Sequence, residues 1–143
     1  MPQKGLPTVT AIIVAAGASR RMGFDKLSYC LPDGRTVLET SCALFAAHPA
    51  VDELVLVAGG NRPQCEAIAA ACPKPCTVVQ GGATRADSVH NGLAAAKGQL
   101  VAIHDAARPF ASEEVITQVL QAAAKTGAAA PAVPVKDTIK VAD

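Results

Sequence analysis

A stretch of small and basic residues between positions 15 and 26 has the composition of a phosphate-binding loop. Its first three residues are small enough to let the backbone approach a ligand closely: Ala15, Ala16 and Gly17. Three positive charges lie within the seven positions that end this stretch: Arg20, Arg21 and Lys26. A triphosphate would match this loop, because it combines a high negative charge with many oxygen acceptors.

The spacing of this loop excludes two familiar phosphate-binding motifs. A Walker loop needs glycine, four residues and then Gly-Lys-Ser/Thr, whereas Gly23 stands six positions after Gly17 and is followed by Phe24. The dinucleotide fingerprint needs a glycine where Ser19 stands. The alternative interpretation is a turn with solvated arginines. The position of the loop directly after an apolar strand weakens that alternative.

A second candidate segment, Gly81 to Val89, places two glycines before a predicted helix. The first turn of a helix binds anions and polar edges, because its N–H groups have no partner within the helix. Ser88 falls one turn into this helix and could offer its hydroxyl to a base or a ribose. The alternative is a tight turn and a helix cap with Ser88 merely exposed.

A third segment, His104 to Phe110, carries an acid at the end of a predicted strand. Asp105 is well placed there to hold a magnesium–phosphate unit or a ribose hydroxyl. Arg108 could pair with Asp105 or with a phosphate, and a purely structural Asp–Arg pair is the alternative. His104 could orient Asp105 or simply pack.

A fourth segment, Pro134 to Lys140, contains two lysines and a threonine. These side chains suit a second phosphate. The alternative, a solvent-exposed connecting loop, explains these residues equally well.

The predicted strands and helices determine where these segments lie in the fold. Apolar strand patterns alternate with helical patterns along the chain. The predicted strands are Thr8–Val14, Leu54–Ala58, Thr77–Val79, Leu100–Ile103 and Ala128–Val135. The predicted helices are Val37–Ala47, Gln64–Ala71, Arg85–Ala96 and Glu113–Lys125, with Thr84 and Ser112 as N-caps and Gly127 as a stop. This alternation predicts an α/β fold with a parallel sheet covered on both faces and ligands at the carboxyl ends of the strands.

Composition narrows the class of protein further. The 143 residues suit one domain, and half of them are hydrophobic, which supports a buried core. A net charge of +1 gives no broad electrostatic reason to expect a nucleic acid or a membrane as partner. Five cysteines, with no export segment recognised before them, favour free thiols in a reducing cytoplasm. Neither a zinc site nor the Gly-x-Ser-x-Gly motif of serine hydrolases is expected.

Taken together, the four segments resemble one family, the 2-C-methyl-D-erythritol 4-phosphate cytidylyltransferases of the non-mevalonate isoprenoid pathway. The resemblance rests on AAGASRRMG with Lys26, GGATRADSV followed by Asn-Gly-Leu at 91–93, HDAARPF, and PVKDTIK. It implies a Rossmann-like three-layer nucleotidyltransferase fold with a mainly parallel central sheet. It also implies transfer of CMP from CTP to methylerythritol phosphate with a divalent cation, usually Mg²⁺.

The resemblance assigns roles to the residues that match. Arg21 and Lys26 would grip the triphosphate and stabilise charge on the α-phosphate. Nucleotide contacts would come from Ala15, Ala16, Gly17, Gly82, Ser88, Asp105 and Ala106. Contacts to methylerythritol phosphate would come from Asp105, Ala106 and Thr138, the last of them in the site of a partner subunit, since family members are homodimers.

The sequence departs from the family in one large respect, because the family chain continues well beyond residue 143. The chain is therefore expected to be a fragment that is feeble or inactive alone. Two other functions stay open: a cytidylyltransferase for ribitol 5-phosphate, which shares all four motifs, and a non-catalytic CTP-binding module.

Overall fold

The computed structural model of the chain describes residues 6–16, 26–109 and 111–128. Its strands are β1 (Val9–Val14), β2 (Glu53–Ala58), β3 (Cys76–Gln80) and β4 (Leu100–Asp105). Its α-helices are α1 (Val37–Ala46), α2 (Arg62–Ala71), α3 (Arg85–Ala95) and α4 (Glu113–Thr126), and a short 3-10 helix covers Lys26–Ser28. Each of these strands and α-helices was predicted, with small differences at the ends, whereas the 3-10 helix was not. The predicted fifth strand falls almost wholly outside the described residues.

The four described strands form one parallel sheet in the order β3-β2-β1-β4. The register places Val14 beside both Val57 and Asp105, and Val57 beside Val79. The carboxyl ends of all four strands are therefore level. The chain order reverses between β1 and β4, and such a reversal is where open α/β sheets place their ligands.

Helices cover both faces of the sheet, as the sequence predicted. One core cluster joins α1, α2 and α4 to one face through side chains such as Ile13, Leu56 and Phe45. A smaller cluster joins α3 to the other face through Ile12 and Val57. Apolar burial of this kind, at about 25 cal/mol per Å², is the main stabilising contribution to such a fold.

Helix α3 approaches the sheet closely because residue 92 is glycine. A Cβ atom at Gly92 would lie 2.8 Å from Cγ2 of Ile12 and 3.0 Å from Cγ2 of Val57. Any larger residue would therefore push α3, and the loop before it, away from the strands.

The predicted caps of α3 and α4 are confirmed. Thr84 accepts a hydrogen bond from the Asp87 N–H while the Asp87 carboxylate accepts from the Thr84 N–H, which is a reciprocal capping box. Ser112 caps α4, which ends at Gly127 with φ 92°, a left-handed conformation that glycine adopts without strain. No helix among the described residues is long and apolar enough to cross a membrane.

A candidate nucleotide site at the carboxyl ends of the strands

A cleft of about 770 Å³ opens at the carboxyl ends of the four described strands. This volume falls within the usual range of small-molecule sites, about 300–1,000 Å³. The segments that follow each strand provide its walls. Its lining residues are Ala15, Ala16, Ala58, Gly59, Gly60, Asn61, Gln64, Gln80, Gly81, Gly82, Ala83, Thr84, Arg85, Ser88, Asp105 and Ala107.

The wall after β1 begins with Ala15 and Ala16. The Ala15 N–H donates to the Val57 carbonyl at 2.9 Å, so the backbone at the end of β1 is tied to β2. A Cβ atom at Gly81 would lie only 2.6 Å from the Cβ of Ala16. Glycine at position 81 therefore allows the loop after β3 to pack directly against the loop after β1.

The wall after β3 is organised by Ser88, which is 3% exposed. The interpretation of Ser88 as merely exposed is therefore wrong. Its Oγ accepts a hydrogen bond from the Gly82 N–H at 3.1 Å, which fixes the glycine loop to the first turn of α3. A hydroxyl that accepts one bond can still donate another, so Ser88 can support the loop and address a ligand together.

Arg85 begins α3 at the cleft, and its side chain is exposed. The N-terminus of a helix carries partial positive charge, and the arginine adds a full one. This wall is therefore suited to an anionic or electron-rich group.

The wall after β4 presents Asp105, whose Oδ1 accepts a hydrogen bond from the Ala107 N–H at 3.0 Å. The Arg108 N–H donates to the Asp105 carbonyl, so these two residues meet through their backbones. Among the described residues the one ion pair is Arg62–Glu66 on the surface of α2. The alternative of a structural Asp105–Arg108 ion pair is therefore wrong, and no cation of the described residues pairs with the Asp105 carboxylate, which lines the cleft.

Ala106 is fully buried and does not line the cleft. Its N–H donates to the Val14 carbonyl at 3.0 Å, and its own carbonyl accepts from the Ser41 hydroxyl at 2.7 Å. Both backbone groups are thus engaged inside the fold, and the neighbouring Ala107 occupies the position at the cleft.

His104 contacts both the segment after β4 and helix α1. Its Nε2 donates to the Arg108 carbonyl at 2.8 Å, and its ring packs on Phe45 with centroids 4.8 Å apart. Burial lowers the pKa of His104 below its ordinary value, which the hydrogen bond to Arg108 opposes only in part. Of the two roles considered for His104, packing is the one that these contacts support.

One family model matches residues 9–143, and its description is 2-C-methyl-D-erythritol 4-phosphate cytidylyltransferase. The chain belongs to this family. It is 45% identical over 135 residues to the 2-C-methyl-D-erythritol 4-phosphate cytidylyltransferase of Symbiobacterium thermophilum, covering 92% of this chain and 57% of that protein. It is 46% identical over 136 residues to a bifunctional IspD/IspF enzyme of Anaeromyxobacter dehalogenans, covering 94% of this chain and 35% of that protein.

Solved structures agree with the family assignment. A 4-diphosphocytidyl-2C-methyl-D-erythritol synthase from Anaerococcus prevotii superposes with a TM-score of 0.72 at 31% identity, covering 96% of this chain and 60% of that chain. A 2-C-methyl-D-erythritol 4-phosphate cytidylyltransferase from Thermus thermophilus gives a TM-score of 0.66 at 36% identity, with 94% and 58% covered. The expected nucleotidyltransferase fold is confirmed. The chain spans little more than half the length of these single-function relatives.

Within this cytidylyltransferase family fold, the structure brings together five of the predicted site residues: Ala15, Ala16, Gly82, Ser88 and Asp105. Gly17, Arg21 and Thr138 lie outside the described residues, and so does the side chain of Lys26, which begins the 3-10 helix. Their predicted roles, like those of the five residues in the cleft, stay predictions.

Sequence reasoning missed the contribution of the segment after β2. Gly59, Gly60, Asn61 and Gln64 all line the cleft. A signal was available, because Gly-Gly-Asn follows the predicted strand directly and all strands of a parallel sheet end at the same edge. The segment was overlooked because it carries no charge next to the strand.

The described residues contain no group of three or more His, Cys, Asp or Glu side chains that could hold a metal ion. Asp105 is the carboxylate that lines the described part of the cleft. A single carboxylate nonetheless fits Mg²⁺ at a nucleotide site, because that ion is commonly held by one or two carboxylates together with substrate phosphates.

Proposed function

We propose that this chain carries the nucleotide half of an enzyme that transfers CMP from CTP to 2-C-methyl-D-erythritol 4-phosphate, in the cytoplasmic synthesis of isoprenoid precursors. The observation that carries the proposal is the cleft, which is built jointly by the ends of four parallel strands in a chain of this family. A relative that is 45% identical to this chain is named for the same activity.

The chemistry is an in-line displacement at phosphorus. A phosphate oxygen of the alcohol phosphate forms a bond to the α-phosphorus of CTP. The bond from that phosphorus to the bridging oxygen breaks, and pyrophosphate leaves with the electron pair. A phosphate nucleophile is already anionic at neutral pH, so the protein needs no base and contributes positioning and charge neutralisation.

The cleft residues divide this task between them. Gly82 and Ser88 would recognise cytosine, with the bond between them holding the loop in shape. Asp105 would bind the ribose or the substrate, and the backbone of Ala15 and Ala16 would follow the nucleotide. Arg21 and Lys26 would neutralise the triphosphate.

A divalent cation, Mg²⁺, would be held by Asp105 together with the phosphates of CTP. When bound, it would withdraw negative charge from the reacting phosphate groups. The proposed assembly is a homodimer in which Thr138 reaches the partner's substrate, with neither a nucleic acid nor a membrane as partner.

Binding and turnover test separate parts of this proposal. Titration calorimetry of this chain with CTP, and with ATP as the comparison, is expected to show preferential binding of CTP. Pyrophosphate release from CTP, Mg²⁺ and methylerythritol phosphate is expected to be slow or undetectable for 143 residues alone. Release supported by ribitol 5-phosphate instead would change the substrate, and equal binding of CTP and ATP would overturn the cytidine assignment.

A further inference from the structure

Asn61 is the N-cap residue of α2, yet its side chain makes no capping hydrogen bond. An N-cap asparagine ordinarily accepts a hydrogen bond from the N–H of the second or third helical residue. The second helical residue here is Pro63, which has no N–H. The third helical residue, Gln64, has an N–H, but the Asn61 side chain does not accept from it, so the carboxamide is used elsewhere.

That use is a bridge between the ends of two strands. The Oδ1 atom of Asn61 accepts a hydrogen bond from the Gly59 N–H at 2.9 Å. Its Nδ2 atom donates to the Ala15 carbonyl at 3.3 Å. One side chain thus holds the segment after β2 and the segment after β1 at the same time.

Ala15 is held from both of its backbone groups by this arrangement. Its N–H is bound to the Val57 carbonyl of β2, and its carbonyl is bound to Asn61. The next residue, Ala16, lines the cleft. A change at Asn61 therefore reaches the cleft through the peptide group between Ala15 and Ala16.

The bridge extends to a third strand end through Gln80. The Nε2 atom of Gln80 donates to the Gly59 carbonyl at 3.3 Å, while the Gln80 carbonyl accepts from Asn91 Nδ2 at 3.0 Å. Gly59 is consequently held on its N–H by Asn61 and on its carbonyl by Gln80. These contacts tie the segments after β1 and β2 and the last residue of β3 into one unit.

We propose that Asn61 is a positioning residue for the bound nucleoside triphosphate, acting through the Ala15–Ala16 backbone. This inference rests on the proposed function, since it names what the positioned backbone would bind. It assigns no chemical step to Asn61. Its role is to hold the peptide group between Ala15 and Ala16 in the orientation which a phosphate or ribose oxygen requires.

Two variants separate the two hydrogen bonds. Asn61→Ala removes both of them, together with the weak contact in which the Cys65 thiol donates to Asn61 Oδ1 at 3.9 Å. Asn61→Asp has nearly the same shape and keeps an acceptor for Gly59, but it replaces the donor to the Ala15 carbonyl with an oxygen. Ser112→Ala is the matched control, because it removes the N-cap of α4 and costs about 1 kcal/mol of stability without lining the cleft.

The first readout needs no ligand. Amide hydrogen exchange of the free chain is expected to become faster in Asn61→Ala at two amides, beyond any change shared by the whole sheet. The Gly59 N–H loses its acceptor, and the Ala16 N–H belongs to the peptide group that Asn61 holds by the Ala15 carbonyl. In Asn61→Asp only Ala16 should show this local change, since the acceptor for Gly59 is kept. In Ser112→Ala neither amide should change more than the rest of the sheet. Local exchange at both amides that matches the wild type in Asn61→Ala would overturn the inference, whatever the chain binds.

The second readout is the Kd for CTP, measured well below the thermal transition of each variant. Loss of hydrogen-bonded positioning should raise Kd roughly two- to tenfold in Asn61→Ala, with no change in Ser112→Ala. Uncharged cytidine serves as a second probe for Asn61→Asp, because the new carboxylate repels phosphates directly. An increase in Kd without faster local exchange would make Asn61 a direct ligand contact and would refute the positioning role.

Failure of the proposed function has a different signature. If the wild-type chain binds neither CTP nor cytidine while local exchange responds to Asn61→Ala, then the bridge is only a structural joint and the positioning role is refuted together with the function. If the wild-type chain binds CTP and Asn61→Ala leaves both readouts unchanged, then the function stands and this inference alone is wrong.

Discussion

At the scale of single residues, the cleft depends on how closely backbone segments approach one another. Gly81 touches the loop after β1, and Ser88 holds Gly82 by its N–H. Neither contact involves a charged group. The geometry of the site thus rests on small and neutral residues. In the sequence, by contrast, the site was predicted mainly from the charged residues expected to bind phosphate.

Gly81→Ala is expected to damage both the fold and the cleft. The added Cβ would lie 2.6 Å from Ala16 Cβ and 2.8 Å from Ser88 Oγ, and relief requires the loops to separate. We expect a loss of about 1–3 kcal/mol in the free energy of unfolding, as for other overpacking changes. Urea denaturation measures this loss, and titration with CTP should show weaker binding.

Gly60→Ala is the matched control for this change, because an added Cβ there meets no atom within 4 Å. Its stability should stay within about 0.5 kcal/mol of the wild type, as for ordinary surface substitutions. Equal stability losses at positions 60 and 81 would show that the close approach at Gly81 is not the cause.

At the scale of elements, the helices begin and end where local chemistry dictates. Thr36 forms a second capping box, with Glu39, at the start of α1. Thr36→Ala should lower the free energy of unfolding by about 1 kcal/mol, whereas Thr36→Ser should keep most of it, since serine is also a good N-cap. Parallel urea titrations compare the two. A serine variant as unstable as the alanine variant would count against the cap as the source of the effect.

The wall after β4 should make stability depend on pH through His104. Burial lowers the pKa of His104 in the folded chain below its unfolded value of about 6.5. As pH falls through and below about 6.5, the unfolded chain takes up a proton first, so the free energy of unfolding decreases. This contribution is fully present above the unfolded pKa and is lost on acidification.

His104→Gln should therefore show a flatter decline in stability between pH 7.5 and pH 5 than the wild type, measured by urea denaturation at each pH. The amide can still donate to the Arg108 carbonyl. His90→Gln changes an exposed histidine and is the control. Parallel declines in the wild type and in His104→Gln would contradict the role assigned to burial.

At the scale of the whole molecule, the sequence predicted the described fold well. Its strands carry apolar runs and its helices carry caps, so each element agrees locally with its place in the fold. For the site, the sequence predicted some of the residues that line the cleft and missed others. The wall formed by Gly59 and Asn61 carries no charge and no recognisable motif, so the sequence did not predict it. Ala107 lines the cleft where Ala106 was expected, because the sequence does not show which residue after β4 faces the cleft.

The five cysteines divide by burial, which predicts a thiol-labelling pattern. Cys30 is exposed, whereas Cys42 and Cys65 are buried. Burial raises the pKa of Cys65 to about 11 and that of Cys42 further still. Because the thiolate is the reactive form, Cys30 should react first with a disulfide reagent and Cys42 and Cys65 only on unfolding. Mass spectrometry of the labelled peptides identifies each site, and rapid native labelling of Cys42 would contradict the packing of α1.

The pairing of β1 with β4 has a consequence for synthesis on the ribosome. Gly98 donates its N–H to Thr10 Oγ1, so residues 88 positions apart must both be available before this side of the sheet closes. At translation rates of about 5–20 residues per second, β1 waits on the order of ten seconds for its neighbour. During that interval the backbone N–H and C=O groups on this edge of β1 lack their β4 partners and its apolar side chains are incompletely covered, so the nascent chain is a candidate for protection by chaperones until β4 emerges.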